Sequence, residues 1–368
     1  IESGAINNVI NYSFYKLQDK SIMVLVPAMV VLMSAIGALA GQDSLVTFVL
    51  VGLLLVKKLR LDKIAALSIF YLSYITGQAA GPTVAIILMA QETAGLAPIS
   101  GLGARLVVWA ALTLLCVIYT TRYCLKISKD PSRSILGCVE EPDGNDELNK
   151  SIPVLGTKDI VTALCMLVPF AFYAYGAAAY AWGFPNLIAF AMVAVIVVGI
   201  VNRTNPNELA VTFLKGASAM GGICLMIGFA KVVGIVLTDG KILHTIAYAA
   251  VTAIGGLGDA FTASGMFLFT TAINLLIPSG PAKVPMLIPL FVPVADVLGI
   301  TRQVMCLAFQ LGDGLTNFVT PVSAVLAAAL SMSGVDLRQW WRYVLPYTGI
   351  TFIIAIVDLT ILQSTGWS

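Results

Sequence analysis

Apolar runs recur along the chain, separated by short polar stretches; Leu106–Tyr119, Leu187–Val201 and Val344–Ile361 are three of them. A bilayer-spanning helix needs about 20 largely apolar residues. The pattern therefore predicts an all-α polytopic membrane protein with roughly seven to nine full crossings and some shorter segments. Crossings are expected at Ile64–Ala90, Leu106–Cys124, Ile160–Trp182, Leu187–Val201 and Gly216–Thr238.

Four interruptions break this pattern. Ser21–Val56 has lysines at both ends, Lys20 and Lys57-Lys58, yet its middle reads Gly41-Gln42-Asp43-Ser44. One helix cannot start and finish on the same side, so a hairpin turning at Gln42–Ser44 is expected. Its second arm, Leu45–Val56, is about 18 Å long at about 1.5 Å per residue, half a bilayer. Ile64–Ala90 carries Gly77-Gln78-Ala79-Ala80-Gly81-Pro82, where proline and glycine predict a broken helix. The second half repeats the plan. A second hairpin is expected to turn near Pro278-Ser279-Gly280-Pro281, and a second broken helix at Gly312-Asp313-Gly314-Leu315-Thr316-Asn317. Gly4 corresponds to Gly240, Gln42 to Ser279 and Gly77 to Gly312, all at a nearly constant offset along the chain.

Charge sets the orientation. Basic residues cluster at Lys16 and Lys20, at Lys57, Lys58, Arg60 and Lys63, and at Arg122, Lys126, Lys129 and Arg133. With Lys150, Lys158, Arg203, Lys215, Arg338 and Arg342 they make up 16 of the 21 Lys and Arg, and the positive-inside rule places them in the cytoplasm. Arg105, Lys241 and Arg302 are then expected outside, and Lys231 and Lys283 within apolar segments. The first hairpin enters from inside and the second from outside, which makes two inverted repeats, each with a re-entrant helical hairpin and a broken transmembrane helix. The expected division is 1–127 as the first repeat, beginning with an interfacial helix, 128–157 as a cytoplasmic linker, 158–238 as scaffold crossings, and 239–368 as the second repeat. A helical segment is already under way at Ile1, so an N-terminal stretch is expected to be missing.

Composition narrows the class. Charged residues are only 11% and the net charge is +2, which gives no basis for nucleic-acid binding. The six cysteines, 116, 124, 138, 165, 224 and 306, have no metal-ligand spacing, and His244 is the single histidine. They read as buried thiols and a structural imidazole. Gly256-Leu257-Gly258-Asp259 spells the GxGD pattern of intramembrane aspartyl proteases, but no Tyr-Asp pair or PAL motif accompanies it. No enzyme is expected; an ion channel remains an alternative to a carrier, and a protease built on Asp259 a more remote one.

Asn274–Ala324, with the Ile-Pro-Ser-Gly tip at Ile277–Gly280 and the FQLGDGLTN stretch at Phe309–Asn317, resembles YfcC-type members of the C4-dicarboxylate anaerobic carrier (DcuC-like) family. So do Ser3–Asn7 (SGAIN) and Arg122–Ser134 (RYCLKISKDPSRS). The resemblance implies the ion transporter superfamily fold, whose members carry dicarboxylates, amino acids or small peptides by alternating access, driven by sodium or proton gradients. It also implies a multi-pass protein of the bacterial inner membrane and, as for related scaffolds, a homodimer. Gln42-Asp43-Ser44, Gly81-Pro82-Thr83-Val84 and Lys283 depart from the family's usual residues at those positions.

The expected site lies where tips and breaks converge, because bare backbone at membrane depth survives only in protein or at a cavity. Half-helix N-termini favour anions, and freed carbonyls favour cations. Substrate-binding candidates are Gln42, Ser44, Gln78, Ser279, Gly280, Pro281, Lys283, Thr316 and Asn317. Ion-binding candidates are Asp43, Gly77, Gly81, Thr83, Gly312, Asp313 and Asn317, with Na+ a candidate ligand at Asp43 and Asp313 and H+ the other coupling ion. No cofactor is expected. A buried carboxylate is costly and usually functional, although Asp313 also suits helix capping. Lys283 suits a substrate carboxylate, the place of a sodium ion, a pair with Asp313, or snorkelling outward. Lys231 reads as snorkelling, and Trp340-Trp341 as an interfacial belt beside Arg338 and Arg342.

Overall fold

The fold is described from a computed structural model, for residues 12, 21–40, 48–137, 156–180, 182, 184–218, 232, 236, 239–240, 261–275 and 280–368. Regular structure among these residues is helical throughout. In order it comprises α1 (Ile22–Ala40), α2 (Phe48–Leu59), α3 (Lys63–Leu67), a π-helical turn (Ser68–Leu72), α4 (Ser73–Ala80), α5 (Ala85–Thr93) and α6 (Leu102–Lys129). Then follow α7 (Thr157–Tyr180), α8 (Phe184–Val201), helical residues 206–218, α9 (Thr262–Asn274), α10 (Gly280–Val297), α11 (Arg302–Thr316), α12 (Ala324–Ser333) and α13 (Leu337–Ser364).

Five stretches are long and apolar enough to cross a membrane among the described residues: Ile22–Leu39, Lys63–Thr93, Leu102–Lys129, Gly280–Val297 and Leu337–Ser364. Several elements recur at one interval. The two 28-residue helices α6 and α13 are separated by the same stretch of chain at their starts, Leu102 and Leu337, as at their ends, Lys129 and Ser364. Ala80 and Thr316, the last residues of α4 and α11, keep that interval to within one position.

The two interrupted helices form the centre. Every residue of α11 from Gln303 to Thr316 is buried, as is almost all of α3 to α4. They pack on each other so closely that a Cβ at Gly314 would collide with the Ala79 Cα. Each also packs against an earlier helix without a side chain between: a Cβ at Gly77 would collide with the Ser34 carbonyl of α1, and one at Gly312 would meet the Phe267 carbonyl of α9 at 2.6 Å. α5 and α10 lie together beside this centre, and α6 and α13 flank it. Exposed apolar residues such as Val107, Leu114, Leu164, Phe172, Ile196 and Ile353 turn outward, as expected of side chains facing lipid rather than water.

Local chemistry sets the element ends. Asp62 caps α3, accepting from the Ala65 amide at 2.9 Å, while its other oxygen takes the hydroxyls of Tyr123 (2.5 Å) and Ser134 (2.7 Å). Thr301 caps α11, and Ser323 caps α12. Gly334, at φ +64, closes α12 in the left-handed conformation that glycine adopts without strain. α10 carries Pro285, Pro289 and Pro293, and each removes one backbone donor from the helix.

Candidate functional site

The second interruption begins later than the sequence suggests. Gly312, Asp313 and Gly314 remain in the last turns of α11, and the helix stops only at Thr316, whose hydroxyl donates to the Gly312 carbonyl at 2.5 Å. Glycine is required in this helix because α9 and α4 come too close for any side chain. The chain is non-helical over 317–323.

Three carbonyls released there are claimed by side chains. Tyr71, from the π-helical turn, donates to the Asn317 carbonyl at 2.9 Å. The indole Nε1 of Trp340 donates to Phe318 O and that of Trp341 to Val319 O, both at 2.9 Å. These two tryptophans are therefore not merely an interfacial belt. Trp340 is fully buried, and the pair caps backbone that lipid could not solvate.

The first interruption also starts late. Gly77 and Gln78 are helical, and the backbone first turns extended at Gly81 (φ −61, ψ 133), staying non-helical to Val84. Pro82, which has no amide hydrogen to donate, ends the helix. The Gly81 carbonyl accepts from Gln310 Nε2 at 2.7 Å, and the Thr83 hydroxyl donates to Ala38 O at 2.9 Å. Gln310 is oriented in turn by Arg105, whose NH1 donates to Gln310 Oε1 (3.3 Å) and NH2 to Gln303 Oε1 (3.0 Å). Arg105 is wholly buried, with the Trp367 ring 5.3 Å from its Cζ. Its Nε, also buried, has no hydrogen-bond partner.

Between the two breaks lies a charged cluster. Lys283, in the first turn of α10, is fully buried and its ammonium forms an ion pair with Asp313 Oδ1 on α11. It also donates to Asn274 Oδ1, on the last residue of α9. That bond fixes the Asn274 amide, whose Nδ2 donates to Asp313 O at 2.8 Å and to Asn317 Oδ1 at 3.1 Å. Gly280, at the N-terminus of α10, is the third neighbour: a Cβ there would lie 3.0 Å from Asp313 Oδ2. The positive end of α10 thus lies beside the carboxylate.

The structure thus brings together Gly280, Lys283, Asp313 and Asn317, with Pro281 next to Gly280 and Thr316 one turn from Gly312. It places Gly81 and Thr83 on the adjoining first break and Gly77 and Gln78 in the helix that leads into it, with Gly77 serving as a packing contact. Gln42, Asp43, Ser44 and Ser279 lie outside the described residues, as do Lys231, Lys241, His244 and Asp259. Asn274, Gln310, Arg105 and Tyr71 complete the cluster, although motif reading does not single them out as site residues.

Asp313 Oδ1 and Asn274 Oδ1, two oxygens that a sodium ion there would use, already hold an ammonium. The carbonyls of Gly81, Asn317, Phe318 and Val319 each already accept from a side-chain donor. The described groups therefore do not fit an added metal cation at Asp313.

The sequence profile of the family described as "DcuC: C4-dicarboxylate anaerobic carrier" matches residues 2–364. The chain belongs to this family. A relative in Escherichia coli K12, named putative basic amino acid antiporter YfcC, is 30% identical over all of this chain and 75% of its own length. An uncharacterized protein of Haemophilus influenzae is 26% identical over 76% of this chain and 55% of its own length. The Alcanivorax borkumensis YdaH transporter has a similar fold, with a TM-score of 0.70 at 16% identity over 99% of this chain and 84% of that one. Neisseria gonorrhoeae MtrF, described within a class of antimetabolite efflux pumps, gives 0.63 at 17% identity over 98% and 80%. This member of the DcuC family is thus a multi-pass protein of a transporter family, with the fold of solved transporters. The channel and protease readings find no support among these proteins.

Proposed function

We propose that this chain is a secondary active transporter for a small carboxylate-bearing solute, working by alternating access. The observation that carries the reading is the buried Lys283–Asp313–Asn274 cluster, set where two interrupted helices and the start of α10 meet. Buried ionisable residues at membrane depth are expensive and mark solute or ion pathways.

The nearly constant interval between corresponding helix ends supports two structural repeats. With the basic residues on the cytoplasmic side, these repeats run in opposite directions, each with a re-entrant hairpin, and 128–157 and 158–238 serve as linker and scaffold. Substrate meets the protein at Gly280, Pro281, Lys283, Thr316 and Asn317 from the second repeat and Gln78 from the first, with Gln42, Ser44 and Ser279 at the tips. Asp43 belongs to the ion-coupling part of the first tip.

A carboxylate is the feature shared by the C4-dicarboxylates of the family description and the basic amino acids in the Escherichia coli relative's name; short peptides carry one as well. Coupling draws on an ion gradient, the protein resides in the bacterial inner membrane, and the scaffold forms a homodimer. The test is uptake into proteoliposomes of a panel of dicarboxylates, amino acids and dipeptides, with sodium and pH gradients imposed separately. Saturable uptake of one class supports the reading; flux that does not saturate points to a channel instead.

A further inference from the structure

Asp313 faces a cation that belongs to the chain itself. Lys283 leaves α10 within a turn of its first residue, Gly280, and its side chain is buried completely. A charge so placed must be compensated. Its partners are the Asp313 carboxylate and the Asn274 amide oxygen, on two different helices. Carboxylate and amide oxygens are the ligands that hard cations select. Asn274 is itself locked by its bonds to Asp313 O and Asn317 Oδ1, so its oxygen cannot turn away without breaking both.

We propose that the Lys283 ammonium is the resident cation of this site, tethered to α10, and that the site takes no sodium ion. The functional meaning rests on the carrier reading above, but the chemistry stands on its own. Three features converge on it. The ammonium contacts one oxygen of the Asp313 carboxylate and the Asn274 amide oxygen, both of the kind a metal would use. The backbone carbonyls released by the interruptions at Gly81, Asn317, Phe318 and Val319 are already engaged by Gln310, Tyr71, Trp340 and Trp341. A second positive charge beside Lys283 would meet strong repulsion in a buried setting with little dielectric screening.

The consequence is specific. A tethered cation stays with the protein in every conformation and is never released to either side of the membrane. A sodium gradient therefore does no work through Asp313, although the lysine keeps the carboxylate neutralised between transport events. Removing the ammonium while keeping the oxygens uncovers a cation site: Lys283→Gln leaves a shorter, neutral side chain beside Asp313 and Asn274.

The test needs no substrate. Thermal unfolding of the purified full chain is followed in sodium, potassium and choline chloride at equal ionic strength, together with equilibrium binding of radiolabelled sodium. Any wild-type sodium binding that remains in Asp313→Asn belongs to another site, so only the part that this variant loses is read. Expected for the wild type is no such part, in binding or in Tm. Expected for Lys283→Gln is a saturable, sodium-specific rise of several degrees, lost again in Lys283→Gln/Asp313→Asn. Saturable sodium binding by the wild type that Asp313→Asn abolishes would overturn the proposal, and this arm holds even where Lys283→Gln does not fold. If sodium binding behaves as expected but no solute is transported, the carrier reading fails and the tethered cation stands.

Discussion

Gln310 on the second interrupted helix donates its amide to the Gly81 carbonyl released by the first, at 2.7 Å. One side chain thereby joins the two breaks, and Arg105 holds its other end. Gln310→Ala is expected to leave a buried carbonyl and a buried guanidinium each short of a partner, destabilising the protein by about 1–3 kcal/mol per orphaned group. Gln310→Glu keeps an acceptor for Arg105 but presents no amide to Gly81, so it separates the two contributions. Chemical or thermal denaturation of both variants in one detergent measures the difference, and equal stability to wild type would exclude the joining role.

Arg105 binds both Gln303 and Gln310 along α11, using two nitrogens of one planar group. Lysine offers a single nitrogen and cannot span them. Arg105→Lys should therefore destabilise by about 1.5–3 kcal/mol, the worth of a hydrogen bond to a charged group. A Tm unchanged from wild type would show that the guanidinium geometry is idle.

Trp340 and Trp341 differ in burial but play the same part, each capping one carbonyl of the second break. Trp340→Phe and Trp341→Phe remove the indole donor and keep an aromatic ring. Both should lose stability, with Trp340→Phe losing more, about 1–3 kcal/mol, because its carbonyl partner has no route to water. If Trp341→Phe proves the more damaging, burial is not what sets the cost.

Gly314 and Gly77 permit contacts that no side chain allows. Gly314→Val and Gly77→Val should each prevent a stable fold, since the obstructing atoms are backbone, or the Cα and Cβ of Ala79, rather than a movable side-chain end. Monodisperse behaviour of either variant on size exclusion would contradict the packing described.

Much of the helical plan is legible in the sequence, because apolar runs and their interruptions at a fixed spacing need only composition and order. The long helices fall where Leu106–Cys124 and Leu187–Val201 place them, extended at the ends by residues that hydropathy does not see. Both breaks lie about a helical turn later than their first glycines suggest. Gly77 and Gly312 imply helix breaking when viewed alone, yet here they serve close approach, a property of the neighbouring helix and invisible in one segment. Asp313 and Lys283 stand out because charges in apolar runs are rare. Gln303 and Gln310 are readable in principle: with Asp313 they recur at helical spacing along an otherwise apolar helix. Arg105 cannot be placed from its own segment, because its surroundings include Trp367 at the far end of the chain. The tryptophan pair misleads because a belt and a cap share the same residues and differ only in what the indole nitrogen meets.

Asp313→Asn alone strands a buried ammonium, which typically costs about 3–5 kcal/mol. Lys283→Gln/Asp313→Asn removes both charges and should recover much of that stability. With the fold of this double variant checked by size exclusion before reconstitution, counterflow of the preferred carboxylate-bearing solute in proteoliposomes isolates the pair's part in transport. The account predicts saturable counterflow for the wild type and a loss of at least about tenfold in the folded double variant, equivalent to about 1.4 kcal/mol. Counterflow at the wild-type rate in that variant would remove Lys283 and Asp313 from the transport site.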